Sequence, residues 1–342
     1  MDRRCLVITS IAGPTAILRR LAAGARANGV EMIVVGDQAS PDDFELDGGD
    51  FYSLEQQRRL DLRLARLCPT GHYARKNIGY LLAMARGADT IVETDDDTVA
   101  HPSFWEPAGR SRPGRTAGGP GWVNVYRYFS EAPVWPRGFP LDEVGRPVPP
   151  LDALPVTHVT SPIQQGLIDD DPDVDAVYRL LFELPLRFRA GPAVALAAGA
   201  WCPFNSQNTT WWPEAFPLMY LPATCSFRMT DIWRSFVAQR LAWANGWEVL
   251  YHAPTISQSR NQHDLMADFR AEVPGYLENR VICETLDRLR FEPGPGRLPA
   301  NLRLAYGALV ERGLLVLREL DLLAAWLDDV ATVTRTPAAL SA

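Results

Sequence analysis

Three consecutive carboxylates, Asp95-Asp96-Asp97, follow Thr94 at the end of the expected strand Thr90–Glu93. Like charges this close repel one another and lose solvation, so something must compensate them. A hard divalent cation held by oxygen, Mg²⁺ or Mn²⁺, does so, and it can hold a diphosphate and neutralise a departing nucleotide. The plain alternative is a solvated acidic turn. Asp231, which follows Thr230 at an expected helix start, either complements the helix dipole or acts as a general base toward an acceptor hydroxyl. A helix N-terminus weakens such a base, and a dry acceptor pocket would have to offset that. His263, in Gln258-Ser259-Arg260-Asn261-Gln262-His263, offers a third metal ligand from a late loop. Arg75, Lys76 and Asn77 cluster ahead of the acidic strand, as diphosphate or sugar contacts or as a solvated helix face. Asp171-x-Asp173-x-Asp175 has the look of a calcium loop, but Ala176 and Phe182 stand where an EF-hand needs Gly and Glu. Calcium binding there is rejected.

The elements that must position these residues alternate along the first hundred positions. A strand over 5–11, a helix over 14–28 and a β-branched strand over 30–36 make a βαβ unit, whose parallel strands require the crossover helix. Ser53 and Gln56 have capping-box spacing. A helix over 73–86, apolar at 78, 81, 82 and 85, ends at Gly87. The strand over 90–93 then delivers the aspartates at its carboxyl end, where open α/β sheets bind ligands. Residues 101–230 are Pro- and Trp-rich with few clean periods, the mark of long functional loops, apart from a short helix over 173–182. Order returns with a helix over 231–245 capped by Thr230, a strand over 247–252 and a helix over 264–290. A linker over 293–299 leads to two amphipathic helices within 300–333. The Trp residues 201, 211, 212, 233, 243 and 247 read as core, with one or two free to stack on a sugar.

The 342 residues, 47% apolar and 22% charged, exclude disorder as the dominant state. A net charge of −7 argues against a general nucleic-acid or anionic-membrane binder. No apolar run approaches the roughly 20 residues of a transmembrane helix, and residues 5–11 read as a strand and not a signal peptide. The 5 cysteines are scattered and form no CxxC, which is the usage of a reducing compartment, taken as the cytoplasm. Of the 34 basic residues only Lys76 is lysine, an Arg-rich bias of GC-rich, bacterial coding. The absence of P-loop, G-x-G-x-x-G, G-x-S-x-G and H-E-x-x-H motifs turns the reading away from NTPases, dinucleotide dehydrogenases, α/β-hydrolases and zincins.

Taken in order, several segments resemble the STELLO-like glycosyltransferases and, more distantly, the reversibly glycosylated polypeptides that act as UDP-arabinopyranose mutases. They are Val34-Val35-Gly36-Asp37, His72-Tyr73-Ala74-Arg75-Lys76-Asn77, Thr94 to Asp97, Gln164-Gln165-Gly166, Asn205-Ser206-Gln207-Asn208, Met229-Thr230-Asp231 and 258–263. The likeness spans most of residues 5–290. It implies an α/β GT-A fold with a Rossmann-like nucleotide-binding sheet and C-terminal helices: a transferase domain over 1–292, divided at 100 into nucleotide-binding and acceptor-side halves, then a helical extension over 293–342. It further implies that Thr9 and Asp37 hold the nucleotide, that Asp95 and Asp97 bind the metal-diphosphate as a DxD motif with Asp96 beside them, and that Asp231 is the base of an inverting reaction.

The expectation is therefore a metal-dependent glycosyltransferase using a nucleotide sugar, a UDP-sugar first, and a carbohydrate or other hydroxyl acceptor. Mn²⁺ or Mg²⁺ would sit on Asp95, Asp97 and His263. Arg75 and Arg260 would contact the diphosphate, Asn77 would join the donor site, and Asn205, Gln207 and Asn208 would bond the sugar. The C-terminal helices offer a face for a homo-oligomer. The alternatives are a nucleotide-sugar mutase and a non-catalytic nucleotide-sugar-binding scaffold.

Overall fold

The structure, a computed structural model, describes residues 2–259 and 264–335. The chain begins with β1 (Arg4–Thr9), α1 (Ala16–Ala27), β2 (Val30–Val35) and β3 (Asp50–Tyr52). Next come α2 (Leu54–Arg59), α3 (Arg63–Leu67), α4 (Lys76–Ala85), β4 (Thr90–Glu93) and β5 (Thr98–Ala100). The middle supplies β6 (Ser111–Ala117), β7 (Gly121–Trp122), β8 (Val156–Thr160), β9 (Ile163–Asp169) and α5 (Ala176–Leu181). After these come β10 (Val194–Leu196), β11 (Ala200–Trp201) and β12 (Thr209–Trp211). The last described elements are α6 (Thr230–Ala244), β13 (Val249–Gln258), α7 (Leu265–Asp287), α8 (Leu298–Glu311) and α9 (Arg318–Arg335).

One mixed sheet runs β3-β2-β1-β4-β12-β9-β13-β10-β6-β8, with β5 paired to the end of β13. β3, β2, β1 and β4 are parallel, and β12 is antiparallel to both β4 and β9. This is the GT-A arrangement, a Rossmann-like parallel part joined to a mixed half. The apolar runs of β1 and β2 are buried along most of their length, as parallel strands covered on both faces require. Thr15 caps α1 by accepting from the Leu18 N–H, and Ser53 and Gln56 form the expected capping box on α2.

The expected helix over 73–86 divides into a 3₁₀ turn, Tyr73–Arg75, and α4. All of α4 is buried, not one face, because β1 and β2 cover one side and α9 another. Gly79 permits that closeness: a Cβ there would lie 2.5 Å from Val7 and 2.8 Å from Val35. α6 starts at Thr230 itself with Met229 as its cap, so Thr230 is no side-chain cap; its hydroxyl reaches back to the Ser226 carbonyl. α5 is shorter than expected and is capped by Asp175. β13 runs on to Gln258, past Pro254, because a register shift between His252 and Ile256 accommodates the missing N–H. The expected long loops of 101–230 contain the short strands β6, β8, β9, β10 and β12 of the far half of the sheet, and β7 and β11, which pair as a separate two-stranded sheet.

α8 and α9 share the main core. Leu302, Leu309, Leu323 and Leu327 are buried in it, and Trp326 is fully enclosed, its indole N–H 3.0 Å from the Pro217 carbonyl. Leu62 gives α3 no side-chain cap; Asp329 of α9 supplies one, accepting from the N–H groups of Arg63 and Leu64 at 3.0 and 2.7 Å. Trp326→Ala is expected to lower stability by about 3–5 kcal/mol in urea unfolding; a loss below about 1 kcal/mol would detach α9 from the core.

Candidate active site

A cleft of about 540 Å³ opens at the carboxyl ends of β1, β2 and β4, the place where the topology of α/β sheets puts ligands. Thr9 and Ser10 border it from β1, Asp37 from β2, and Asp95, Asp96 and Asp97 from β4. Asp37 is an organiser of its rim: it accepts from the backbone N–H groups of Gln38, Gly71 and His72 at 2.8, 2.9 and 3.0 Å.

Each of the three aspartates has a different neighbour. Asp95 accepts from the Tyr73 hydroxyl at 2.8 Å and pairs with Lys76 at 3.1 Å. Lys76 is fully buried, and its ammonium also donates to the carbonyls of Thr94 and Ser206 at 2.6 and 3.0 Å. Asp96 accepts from Ser10 at 2.5 Å, and burial raises its pKa. Asp97 receives the Gln258 amide on both oxygens at 3.0 Å. Burial, then the charge of Asp95, pushes Asp97 up to about 7 against the pull of that amide.

The Gln258 amide is oriented by this bond, because a carboxylate takes only donors. Its oxygen then faces Gln207, which donates at 3.1 Å and keeps its own carbonyl oxygen buried without a partner. Behind the cleft, Glu93 and Arg234 form a fully buried ion pair at 2.9 Å, and Trp211 donates to Glu93 at 2.8 Å. These bonds fix the end of β4 from which the aspartates project.

Asp231 lies behind the cleft lining, enclosed by Arg137. It is buried and accepts Arg137 on both oxygens at 3.1 and 3.0 Å, with the Ser206 N–H and hydroxyl each at 3.2 Å. Burial alone would raise its pKa, but the Arg137 charge and hydrogen bonds, with Arg234 and Arg228 beyond, hold it below the usual 3.8. It is absent from the cleft lining, whereas Asp173, on the same guanidinium at 2.7 and 2.9 Å, is part of it. Of the two sequence readings, dipole partner or base, the structure shows a carboxylate enclosed with Arg137 and off the cleft lining.

Other expected site residues divide similarly. Arg75 borders the cleft, but its guanidinium is spent inward on Gln57 and the Cys68 carbonyl, which corrects the expected diphosphate contact. Asn77 exchanges two hydrogen bonds with the Leu221 backbone. Asn205 accepts from the Gln207 N–H, an internal turn. Asn208 bonds Leu167 and Thr255 and lines a separate cavity of about 820 Å³ with His252, since its side chain leaves the chain on the side opposite Gln207. None of the six tryptophans borders the cleft; the aromatic groups there are Tyr73 and Phe227. Arg260 and His263 lie outside the described residues. Among the described residues no three His, Cys, Asp or Glu side chains converge as a ready metal site. Asp171, Asp173 and Asp175 have separate partners in Arg179, Arg137 and Trp135.

Sequence reasoning passed over Ser10, Tyr73, Asp173, Arg228 and Gln258 as ligand-facing groups. Tyr73 and Gln258 stand inside segments already singled out, and Lys76 was marked by being the one lysine.

Residues 228–339 match the family model described as STELLO glycosyltransferases. "Probable glycosyltransferase STELLO1" of Arabidopsis thaliana is 30% identical over a 359-residue alignment covering 96% of this chain and 44% of that protein. The chain is STELLO-like. "Probable glycosyltransferase STELLO2" of the same plant is 32% identical over 275 residues, 73% of this STELLO-like chain and 35% of the relative. The chain thus spans less than half the length of either curated relative. Among solved structures, M. tuberculosis glucosyl-3-phosphoglycerate synthase is 13% identical with a TM-score of 0.41, covering 81% of this chain and 80% of that one. That likeness adds nothing to the fold read from the strands themselves. The family match begins at Arg228, so Asp231 and Gln258 fall within it and the aspartate triplet precedes it.

Asp231→Asn is expected to cost about 3 kcal/mol at pH 7, since it removes one partner from a buried ion pair. A carboxylate held low stabilises the fold above the unfolded value of 3.8 and stops doing so as pH falls through its folded value. The gap between wild type and variant in urea unfolding should therefore close below pH 3.8; a gap constant down to pH 2 would show that the lost charge is not its cause.

Proposed function

We propose that this chain is a metal-dependent glycosyltransferase, moving a sugar from a nucleotide diphosphate sugar to a hydroxyl acceptor, with UDP-sugars as the first donors to test. The observation that carries the reading is the aspartate triplet at the end of β4, all three carboxylates lining a strand-end cleft of about 540 Å³, with burial and Asp95 pushing Asp97 up to about 7. The donor set fits a hard cation: Asp95 and Asp97 are oxygen ligands whose mutual repulsion a divalent ion relieves. Mn²⁺ or Mg²⁺ on Asp95 and Asp97, with His263 as a further ligand, would supply neutralisation of the departing diphosphate.

The chain's own groups do the rest. Asp37, Ser10 and Thr9 form the nucleotide end of the cleft. Lys76 and Tyr73 hold Asp95 in place, and Gln258 holds Asp97. Gln207 lines the cleft and keeps a buried carbonyl oxygen without a partner, an acceptor for the sugar. Arg137 keeps Asp231 ionised and fixed, so any proton taken from an acceptor goes elsewhere than to that carboxylate. The five unpaired cysteines support placement in a reducing cytoplasm.

A thermal-shift panel of nucleotides and nucleotide sugars, with and without Mn²⁺, tests the donor class. Stabilisation by a UDP compound only with metal is expected; another nucleotide winning would displace UDP, and silence from a folded protein would favour a scaffold. The metal-dependent rise in Tm should be larger at pH 8 than at pH 6, because below about 7 a proton occupies Asp97 and has to leave first. Equal rises at both pH values would remove Asp97 from the metal site. Asp97→Ala should abolish turnover while the far-UV spectrum is kept. Unchanged turnover would sink the assignment, and a product that is only the donor's ring isomer would replace transfer by a mutase reaction.

A further inference from the structure

The aspartate triplet bonds to two groups of cleft-lining residues, Asp96 to Ser10 and Asp95 to Tyr73 in the first, Asp97 to Gln258 in the second. The first group comes from the ends of β1 and β2 and residues 71–75, one end of the cleft; the second comprises Asp173, Gln207, Phe227, Arg228 and Gln258, taken as the other. With a nucleotide at the first end, as the proposed function has it, the transferred sugar falls at the second.

Hydrogen-bond capacity there is unevenly filled. A carboxylate has about four lone-pair sites. Asp231 uses all of its capacity: one oxygen accepts from Arg137 and the Ile232 N–H, the other from Arg137 and from the Ser206 N–H and hydroxyl. Asp173 accepts once on each oxygen, both times from Arg137, and it alone of the two borders the cleft. Its place is fixed further by the Arg137 N–H, which donates to the Asp173 carbonyl at 2.9 Å. Gln207 adds a second open acceptor, since the chain from Asp97 through Gln258 forces its amide N–H₂ away and leaves its oxygen unpaired. Arg228, the cation at this end, has two N–H groups engaged by Glu272 at 3.0 and 2.6 Å.

We propose that Asp173 is a specificity-determining residue of the donor site, accepting a hydrogen bond from a hydroxyl of the transferred sugar, with the Gln207 carbonyl as its companion acceptor. A group rich in hydroxyl donors satisfies both; an anionic group is repelled by Asp173, and an apolar one leaves the Gln207 oxygen unpaired and the spare lone pairs of Asp173 unfilled. A site built to bond a hydroxyl discriminates strongly against ligands that lack it. Each Asp173 oxygen accepts from Arg137 and keeps lone-pair capacity for a sugar hydroxyl.

This assignment rests on the proposed donor class, and calorimetric titration of the full chain separates the two. The probes are UDP, UDP-glucose, UDP-galactose, UDP-xylose and UDP-arabinopyranose, each with Mn²⁺. In the wild type, no binding of any of them overturns the donor reading and this assignment with it. Where UDP and at least one UDP-sugar bind, Asp173→Asn should leave the UDP Kd within about twofold and weaken that UDP-sugar by about 10- to 100-fold, the range for a hydrogen bond to a charged group. Equal weakening of both, or of neither, overturns the role of Asp173 while the donor class stands. If the asparagine variant does not fold, Asp173→Glu keeps the charge opposite Arg137 and moves it one methylene into the cleft. It should change the rank order of the four UDP-sugars with UDP unchanged, and an unaltered order overturns the assignment.

Discussion

A single ammonium group without solvent contact underlies the candidate site. Lys76 begins α4, and its nitrogen meets the Thr94 and Ser206 carbonyls, the Tyr73 hydroxyl and Asp95. A charge taken out of water is tolerated only when it is paired and fully bonded, so each of those partners is held to a fixed place. The loop of aspartates, the segment before β12 and the turn before α4 are joined at one atom. α4 can bring the ammonium there only because Gly79 lets it lie against Val7 and Val35.

Around that point the buried charges are arranged in shells with different duties. Glu93 and Arg234, wholly enclosed, keep the end of β4 rigid. Arg137 spans two carboxylates from separate elements, one ahead of α5 and one in the first turn of α6. Between them lies the aspartate triplet, where burial and then the charge of Asp95 raise Asp97. Stability is concentrated in the support and electrostatic tension in the cleft, the division expected of a functional site.

The first hundred residues were legible because their signals are long and local: continuous apolar strands, a crossover helix, a capping box, and aspartates at a strand end. The far half of the sheet was not, since β10 and β12 are three residues each and β6 is interrupted by Pro113 and Gly114, so none carries a usable period. Site residues failed for a related reason. Gln207 and Asn208 are adjacent and chemically alike, yet face different cavities, and nothing local fixes which one faces the donor. Arg75 carries the charge a diphosphate needs, but its burial depends on Gln57 and the Cys68 carbonyl. Asp231 was found by its helix position, whereas its environment depends on Arg137, some ninety residues earlier.

The composition of the chain has a practical side that follows from where Lys76 lies. Every other basic side chain that carries a full charge is arginine, so the folded surface presents no lysine amine at all. Reagents and enzymes that act on lysine have no lysine to modify until Lys76 is uncovered from the aspartate loop. Covalent tagging of Lys76 is thus a report on opening of the candidate site, recorded at one residue and without an introduced label.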